Sequence, residues 1–461
     1  MKLTIWGAAQ QVTGSMHLLE VNGYKILIDC GLDYEKDTRL EDNIQFPFPP
    51  SEIDVVILTH AHIDHSGNLP TFIRMGFEGQ IICTSPTAEL SELLLLDSVN
   101  IFSNRNRKKH PRKRGDRNSP PLFLQKHVMD TSERFVTIGF NRPFRLTGDI
   151  VVELIPAGHL LGAASAIFTI TERGQQKKIG FTGDVGRKNY PVMVDPQPLP
   201  PLDYLVSEST YGGRLHTTGS SIEEVLAKTI EETCIQNPGR LIIPAFSIGR
   251  TQALVYSLNR IFSKGLLPRV KIFVDSPLAT YATDIFRKYQ HLLNEEAQEF
   301  YLQQGDEFEF ENLNYVQNMK ESRALSNYFE PCIIVSSAGM LEGGRIQDHL
   351  FYNIQNYYCT ILFIGYSAKG TLGHRLLRGD PVVHIRDREL AVYASVKQTD
   401  LFSGHADHHD LISLVERQDP EKLKKVFLVH GEPEAMTALK TDLTSLGYQV
   451  KIPQKGESFD L

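Results

Sequence analysis

His60-Ala61-His62-Ile63-Asp64-His65 follows directly on the apolar run Val55-Val56-Ile57-Leu58. A short apolar run bounded by polar residues reads as a strand covered on both faces. At its end, four potential metal donors occur within six residues. Residues two apart in an extended chain point to the same side, so His60 and His62 can share one cation. A tight turn after them sends Asp64 and His65 towards a second. Imidazole and carboxylate together suit Zn²⁺ and its first-row neighbours. A single histidine is usually an ordinary core or surface residue; four donors in this order read as a metal constellation.

The same feature recurs outward from this stretch. Lys25-Ile26-Leu27-Ile28 ends in Asp29, Val151 to Ile155 leads to His159, Lys178 to Thr182 leads to Asp184, and Lys425 to Val429 ends in His430. Each donor alone has a bland reading as a turn residue. Together, a donor at the end of one apolar strand after another implies convergence on one rim. Asp29 fits best as a carboxylate that orients a histidine, with a strand-end turn as the alternative. Between the early strands lie helix candidates such as Thr87 to Val99, so the first 210 residues read as layered α/β or α+β. From about 208 to 392 strands and helices alternate: Arg240 to Pro244, a helix through Thr251 to Ile261, Lys271 to Asp275, Cys332 to Val335 and Thr360 to Ile364. That is the pattern of a parallel sheet built from βαβ units.

Composition narrows the class. A chain of 461 residues, 41% hydrophobic and 22% charged, is an ordinary globular protein of two or three domains. Its formal net charge of -7 requires any nucleic-acid contact to come from a local patch. The five cysteines are scattered and form no CxxC pair, which argues against a disulfide framework and a thiolate zinc site. The N-terminus runs straight into a strand-like segment, and no apolar stretch approaches the roughly 20 residues of a membrane span. A reduced, cytoplasmic protein with no membrane partner is the expectation. Residues 105–117 hold eight Lys/Arg against one Asp. This stretch reads either as a solvated loop or as an electrostatic contact for a polyanion.

The HxHxDH core with its outlying His and Asp resembles the metallo-β-lactamase fold, an αββα sandwich with a metal site on one edge. Later segments resemble its β-CASP branch of nucleic-acid-processing nucleases, in particular the catalytic subunit of the pre-mRNA 3′-end cleavage machinery and its prokaryotic relatives. Glu208 in Ser207-Glu208-Ser209-Thr210 resembles motif A, His405 in Ser403-Gly404-His405-Ala406 motif B, and His430 in Val429-His430-Gly431 motif C. Pro244 to Arg250, Asp275 to Ala279, Ser336 to Met340 and Gly365 to Gly373 extend the match over nearly the whole chain. Gly404 stands where the family usually has Ala, and His374 where Arg is commoner. The implied fold class is α/β: a metallo-β-lactamase domain from residues 1–207 and 393–461, with residues 208–392 inserted as a parallel-sheet β-CASP domain.

Carried over residue by residue, the resemblance implies two zinc ions per chain. His60, His62 and His159 would hold one; Asp64, His65 and His430 would hold the other; Asp184 would bridge both. Hydrolysis of single-stranded RNA through a dizinc-bound hydroxide follows, with Asp64 orienting the nucleophile. His405 would be the general acid for the leaving 3′-oxygen and Glu208 its partner. Ser337, Ser403 and Arg250 are candidate substrate contacts. Internal cutting is the expectation; a 5′-to-3′ exonuclease and a small-molecule hydrolase of the same fold are the alternatives. Relatives often form dimers, so the resemblance also carries a homodimer.

Overall fold

The computed structural model describes residues 1–34, 40–109, 122–217 and 219–461, without the side chains of residues 40–41 and 103–109. The side chains of the basic stretch 105–117 therefore lie outside the described residues. Two compact units form: Met1–Lys188, Asp195–Leu215 and His405–Leu461 make the first, Asn189–Val194 and His216–Gly404 the second. No helix among the described residues is long and apolar enough to cross a membrane.

Two seven-stranded sheets make up the first unit among the described residues, with strands numbered along the chain. One runs β22 (Glu457–Asp460), β1 (Lys2–Ile5), β2 (His17–Val21), β3 (Tyr24–Ile28), β4 (Val55–Ile57), β5 (Gln80–Cys83), β6 (Phe135–Thr137). The other runs β21 (Val450–Lys451), β20 (Lys425–Val429), β11 (Tyr204–Glu208), β10 (Gln175–Phe181), β9 (Ala164–Glu172), β8 (Ile150–Pro156), β7 (Phe144–Arg145).

Successive side chains of a strand face opposite ways, and here both faces are apolar. Leu19, Ile26, Ile28, Val55 and Ile57 pack against Val152, Leu154, Phe168, Phe181 and Val206 between the sheets. Their alternates Leu18, Leu27, Val56 and Ile81 join Phe72, which lies in the helix Leu69–Arg74. Beyond the second sheet, Leu205, Val426 and Leu428 meet Leu411 and Leu439 from the helices His408–Glu416 and Pro433–Ser445. The order of layers is helix, sheet, sheet, helix. Each large side chain buried this way contributes about 1.5–3 kcal/mol.

Strand direction decides where the donors fall. β8 and β10 are both antiparallel to β9, and β10, β11 and β20 are mutually parallel neighbours. The C-terminal ends of β8, β10, β11 and β20 therefore share one edge. In the first sheet β3 and β4 are parallel, so their exits lie together as well.

The second unit is built on the sheet β14 (Leu313–Tyr315), β13 (Lys271–Asp275), β15 (Cys332–Ser336), β12 (Arg240–Pro244), β16 (Cys359–Phe363), β19 (Ser395–Gln398), parallel at every pairing. A hairpin of β17 (Val382–Ile385) and β18 (Arg388–Ala391) accompanies it.

The edges of the units differ from cuts at 207/208 and 392/393. β19 adds to β16 as the last strand of the parallel sheet, which keeps residues 393–404 in the second unit. In the first unit, Gly212 lies so close to Ala435 and Leu439 that a Cβ would meet the Ala435 carbonyl oxygen at 2.6 Å. Asn294 holds residues 189–194 in the second unit, through its N–H to the Val192 carbonyl (3.1 Å) and its side chain to the Tyr190 carbonyl (3.3 Å).

Candidate metal centre

The stretch after β4 is a loop closed by one helical turn, Ile63–Ser66, rather than a bare tight turn. Backbone bonds fix it, two from the exit of β3, Cys30 N–H to the His65 carbonyl (2.8 Å) and Leu32 N–H to the Ile63 carbonyl (2.9 Å), and one from just ahead of β2, Ser15 N–H to the Asp64 carbonyl (2.8 Å). The approach is so close that a Cβ on Gly31 would lie 1.6 Å from the Asp64 carbonyl oxygen, so only glycine fits there. Asp29 then receives three groups from this loop. Its carboxylate accepts the Thr59 N–H (2.8 Å) and Thr59 hydroxyl (2.9 Å), and stands 2.7 Å from His65 Nδ1. With Nδ1 so engaged, His65 turns Nε2 the other way.

The outlying donors arrive from the shared edge of the second sheet. His60, His62, His159 and Asp184 form one group, and Asp64, His65 and His430 another. His62 Nδ1 lies 3.1 Å from both His60 Nε2 and His159 Nε2. Asp184 divides its two oxygens between the groups. Oδ2 is 3.4 Å from His60 Nε2 and 3.5 Å from His159 Nε2; Oδ1 is 3.2 Å from His65 Nε2 and 3.6 Å from His430 Nδ1. Asp64 Oδ2 stands 3.5 Å from His430 Nε2. All seven side chains named from the sequence thus meet within the first unit.

The buried carboxylates Asp184 and Asp29 set the electrostatics of the centre. Burial would lower the proton affinity of His65, but Asp184 and Asp29 outweigh it and raise the pKa well above the ordinary value. Burial pushes the other way on Asp184 too, and His430, His65 and His60 overcome it and hold the carboxyl well below the usual range. His62 is brought down to about 3 by burial and by His60, and His159 is lowered by burial and by His405. His65 Nε2, His430 Nε2 and Asp184 Oδ1 are buried and, close as they stand to one another or to Asp64, make no well-aligned hydrogen bond among the described residues. Orphaned buried polar atoms of this kind cost about 1–3 kcal/mol each unless something satisfies them. A cation among them does so, and imidazole with carboxylate is a zinc-type donor set. The seven residues therefore fit a metal.

Beside this group, His405 Nδ1 lies 3.2 Å from Glu208 Oε1 and 4.0 Å from Asp184 Oδ2. Glu208, at the end of β11, is buried and also accepts the Val185 N–H (2.5 Å) and the Thr210 N–H (3.3 Å). Asp407 caps the helix His408–Glu416 by accepting the Asp410 N–H. Ser337, Ser403 and Arg250 belong to the second unit. Arg250 opens the helix Arg250–Ser263, its guanidinium 4.8 Å over the Phe246 ring and without a carboxylate partner among the described residues. Ser337 donates to Ser276 (3.2 Å), while Ser403 is fully buried.

Sequence reading missed three neighbours. Thr210 Oγ1 is 3.0 Å from His430 Nδ1, and Tyr211 stacks on His405 at 6.2 Å between centroids. They lie two and three residues after Glu208, in the same motif, which was the available signal. His17 is a core histidine in β2, its Nε2 3.3 Å from Ser15 Oγ, and burial brings its pKa to about 4.

Comparison with known proteins agrees with this architecture. Residues 10–232 match the metallo-beta-lactamase superfamily, 251–376 the Beta-Casp domain, and 389–453 the Zn-dependent metallo-hydrolase RNA specificity domain. The chain is 32% identical to Ribonuclease TTHA0252 of Thermus thermophilus over 99% of each chain. It is 29% identical to the transcription termination factor FttA of Methanosarcina mazei, over 96% of this chain and 69% of that one. Endoribonuclease YSH1 of Candida glabrata is 28% identical, over 95% of this chain and 56% of its own. With its sandwich, its inserted parallel sheet and its donor edge accounted for, the chain belongs to the β-CASP branch of the metallo-β-lactamase superfamily.

Proposed function

We propose that the protein is a zinc-dependent ribonuclease that cuts single-stranded RNA internally. The observation that carries this reading is the division of the Asp184 carboxylate between two donor groups, with the Glu208–His405 pair alongside. His60, His62 and His159 would hold one ion, Asp64, His65 and His430 the second, with Asp184 between them. Two zinc ions, when bound, supply Lewis acidity at phosphate oxygens and bring the pKa of water from about 15.7 towards about 7.

The remaining work falls to side chains. Asp64 accepts a hydrogen bond from the attacking water and so aims its lone pair at phosphorus. The P–O3′ bond breaks as the new P–O bond forms. His405 gives the proton at Nε2 to the departing 3′-oxygen, because Glu208 holds the ring by Nδ1. The products are a 3′-hydroxyl and a 5′-phosphate; the proton lost by the attacking water passes to solvent, and His405 takes one back from solvent, so the protons balance. Arg250 would take a phosphate of the strand, a role supported by a guanidinium that has no carboxylate partner among the described residues; Ser337 would serve as a further contact of the RNA, whereas the fully buried Ser403 is a support of the fold rather than a contact.

A circular RNA and an end-labelled linear RNA of the same sequence separate the modes of cutting. The zinc-loaded protein is expected to open the circle, and neither His62→Ala nor His405→Ala should do so. An intact circle beside a shortened linear strand would assign a 5′-to-3′ exonuclease instead. Names of relatives support both the RNA substrate and the internal cut, since they include a ribonuclease and an endoribonuclease.

A further inference from the structure

His17 sits where the strand pattern calls for an apolar side chain. It pairs with Ile28 across β2 and β3, and residues directly opposite share a face. That face is the inter-sheet core, filled along β2 by Leu19 and Val21. Its ring is buried and stacks on Phe181 at 6.3 Å. Phe181 ends the strand that leads to Asp184. Nδ1 of His17 has no hydrogen-bond partner among the described residues. An imidazole nitrogen left so in a core is destabilising against an apolar side chain, so a leucine here would favour folding alone.

A small cavity explains the exception. It measures about 10 Å³ and is lined by Ser15, His17, Asp29, His65, Asp184 and His430 among others. That is the scale of one water and far below any substrate, and a buried water needs two to four polar partners, which this lining offers. We infer that His17 is a positioning residue of the metal centre, holding Asp184 from beneath through one buried water in this cavity. The inference rests on the metal-centre reading proposed above. It gives a polar residue in the core a function that packing does not supply: fixing the carboxylate that serves both donor groups.

The test uses the full-length protein with His17→Leu and His17→Gln. Zinc affinity is measured by competition with a chromogenic chelator, and melting of the metal-free protein is followed in parallel. His17→Leu should weaken zinc binding roughly 10–100-fold while the metal-free protein melts at or above the wild-type temperature. His17→Gln, which keeps a polar atom at the cavity, should recover part of the affinity. Wild-type affinity in His17→Leu overturns the inference. So does a loss of affinity that merely tracks a lower metal-free melting temperature in both variants. A wild-type protein that takes up no zinc fails the metal-centre reading itself, a separate and recognisable outcome.

Discussion

Asp184→Ala lowers kcat/KM for RNA cleavage by at least about 10³-fold, a loss of several kcal/mol of transition-state stabilisation. The magnitude follows from geometry. Oδ2 lies among His60 and His159, and Oδ1 between His65 and His430, so one truncation removes an acceptor from both donor groups at once. It also removes the buried negative charge around which four imidazoles are arranged. Bound zinc should fall together with the rate, measured by atomic emission on the purified variant. A variant that keeps both its zinc and more than a tenth of the rate would show that the carboxylate does not serve both groups.

His405→Ala should leave the zinc content intact and cost RNA cleavage about 10²–10⁴-fold, the usual contribution of one positioned general acid. The leaving group provides the discriminating control. An aryl phosphodiester with a nitrophenolate leaving group departs without a proton, so the same variant should cleave it at close to the wild-type rate. Glu208→Gln should follow His405→Ala in direction with a smaller loss, because the amide still meets Nδ1 but no longer stabilises a charged ring. Equal losses on RNA and on the aryl ester would move His405 from proton donor to structural support of the site.

Much of this centre is legible in sequence for one physical reason. Strands buried on both faces are written as short, mainly apolar runs, and a donor within two residues beyond such a run stands at a sheet edge. Val55 to Leu58 before His60, Lys178 to Thr182 before Asp184 and Lys425 to Val429 before His430 all follow that rule. What escaped reading depends on distant pairing. β22 joins β1 across the whole length of the chain, Lys2 against Asp460, and no local pattern announces it. The edges of the inserted unit escaped for a similar reason: β19 is a half-exposed strand placed by its partner β16, not by its own composition. His17 was invisible because one histidine in a strand carries no spacing. Only its surroundings give it meaning.

Stripping and restoring the metal decides whether the seven donors do what their arrangement indicates. The purified chain should carry two zinc ions, lose RNA cleavage in step with their removal by a chelator, and regain it when zinc is returned. A metal-free chain that still cuts RNA at the original rate would leave the centre without a part in the reaction.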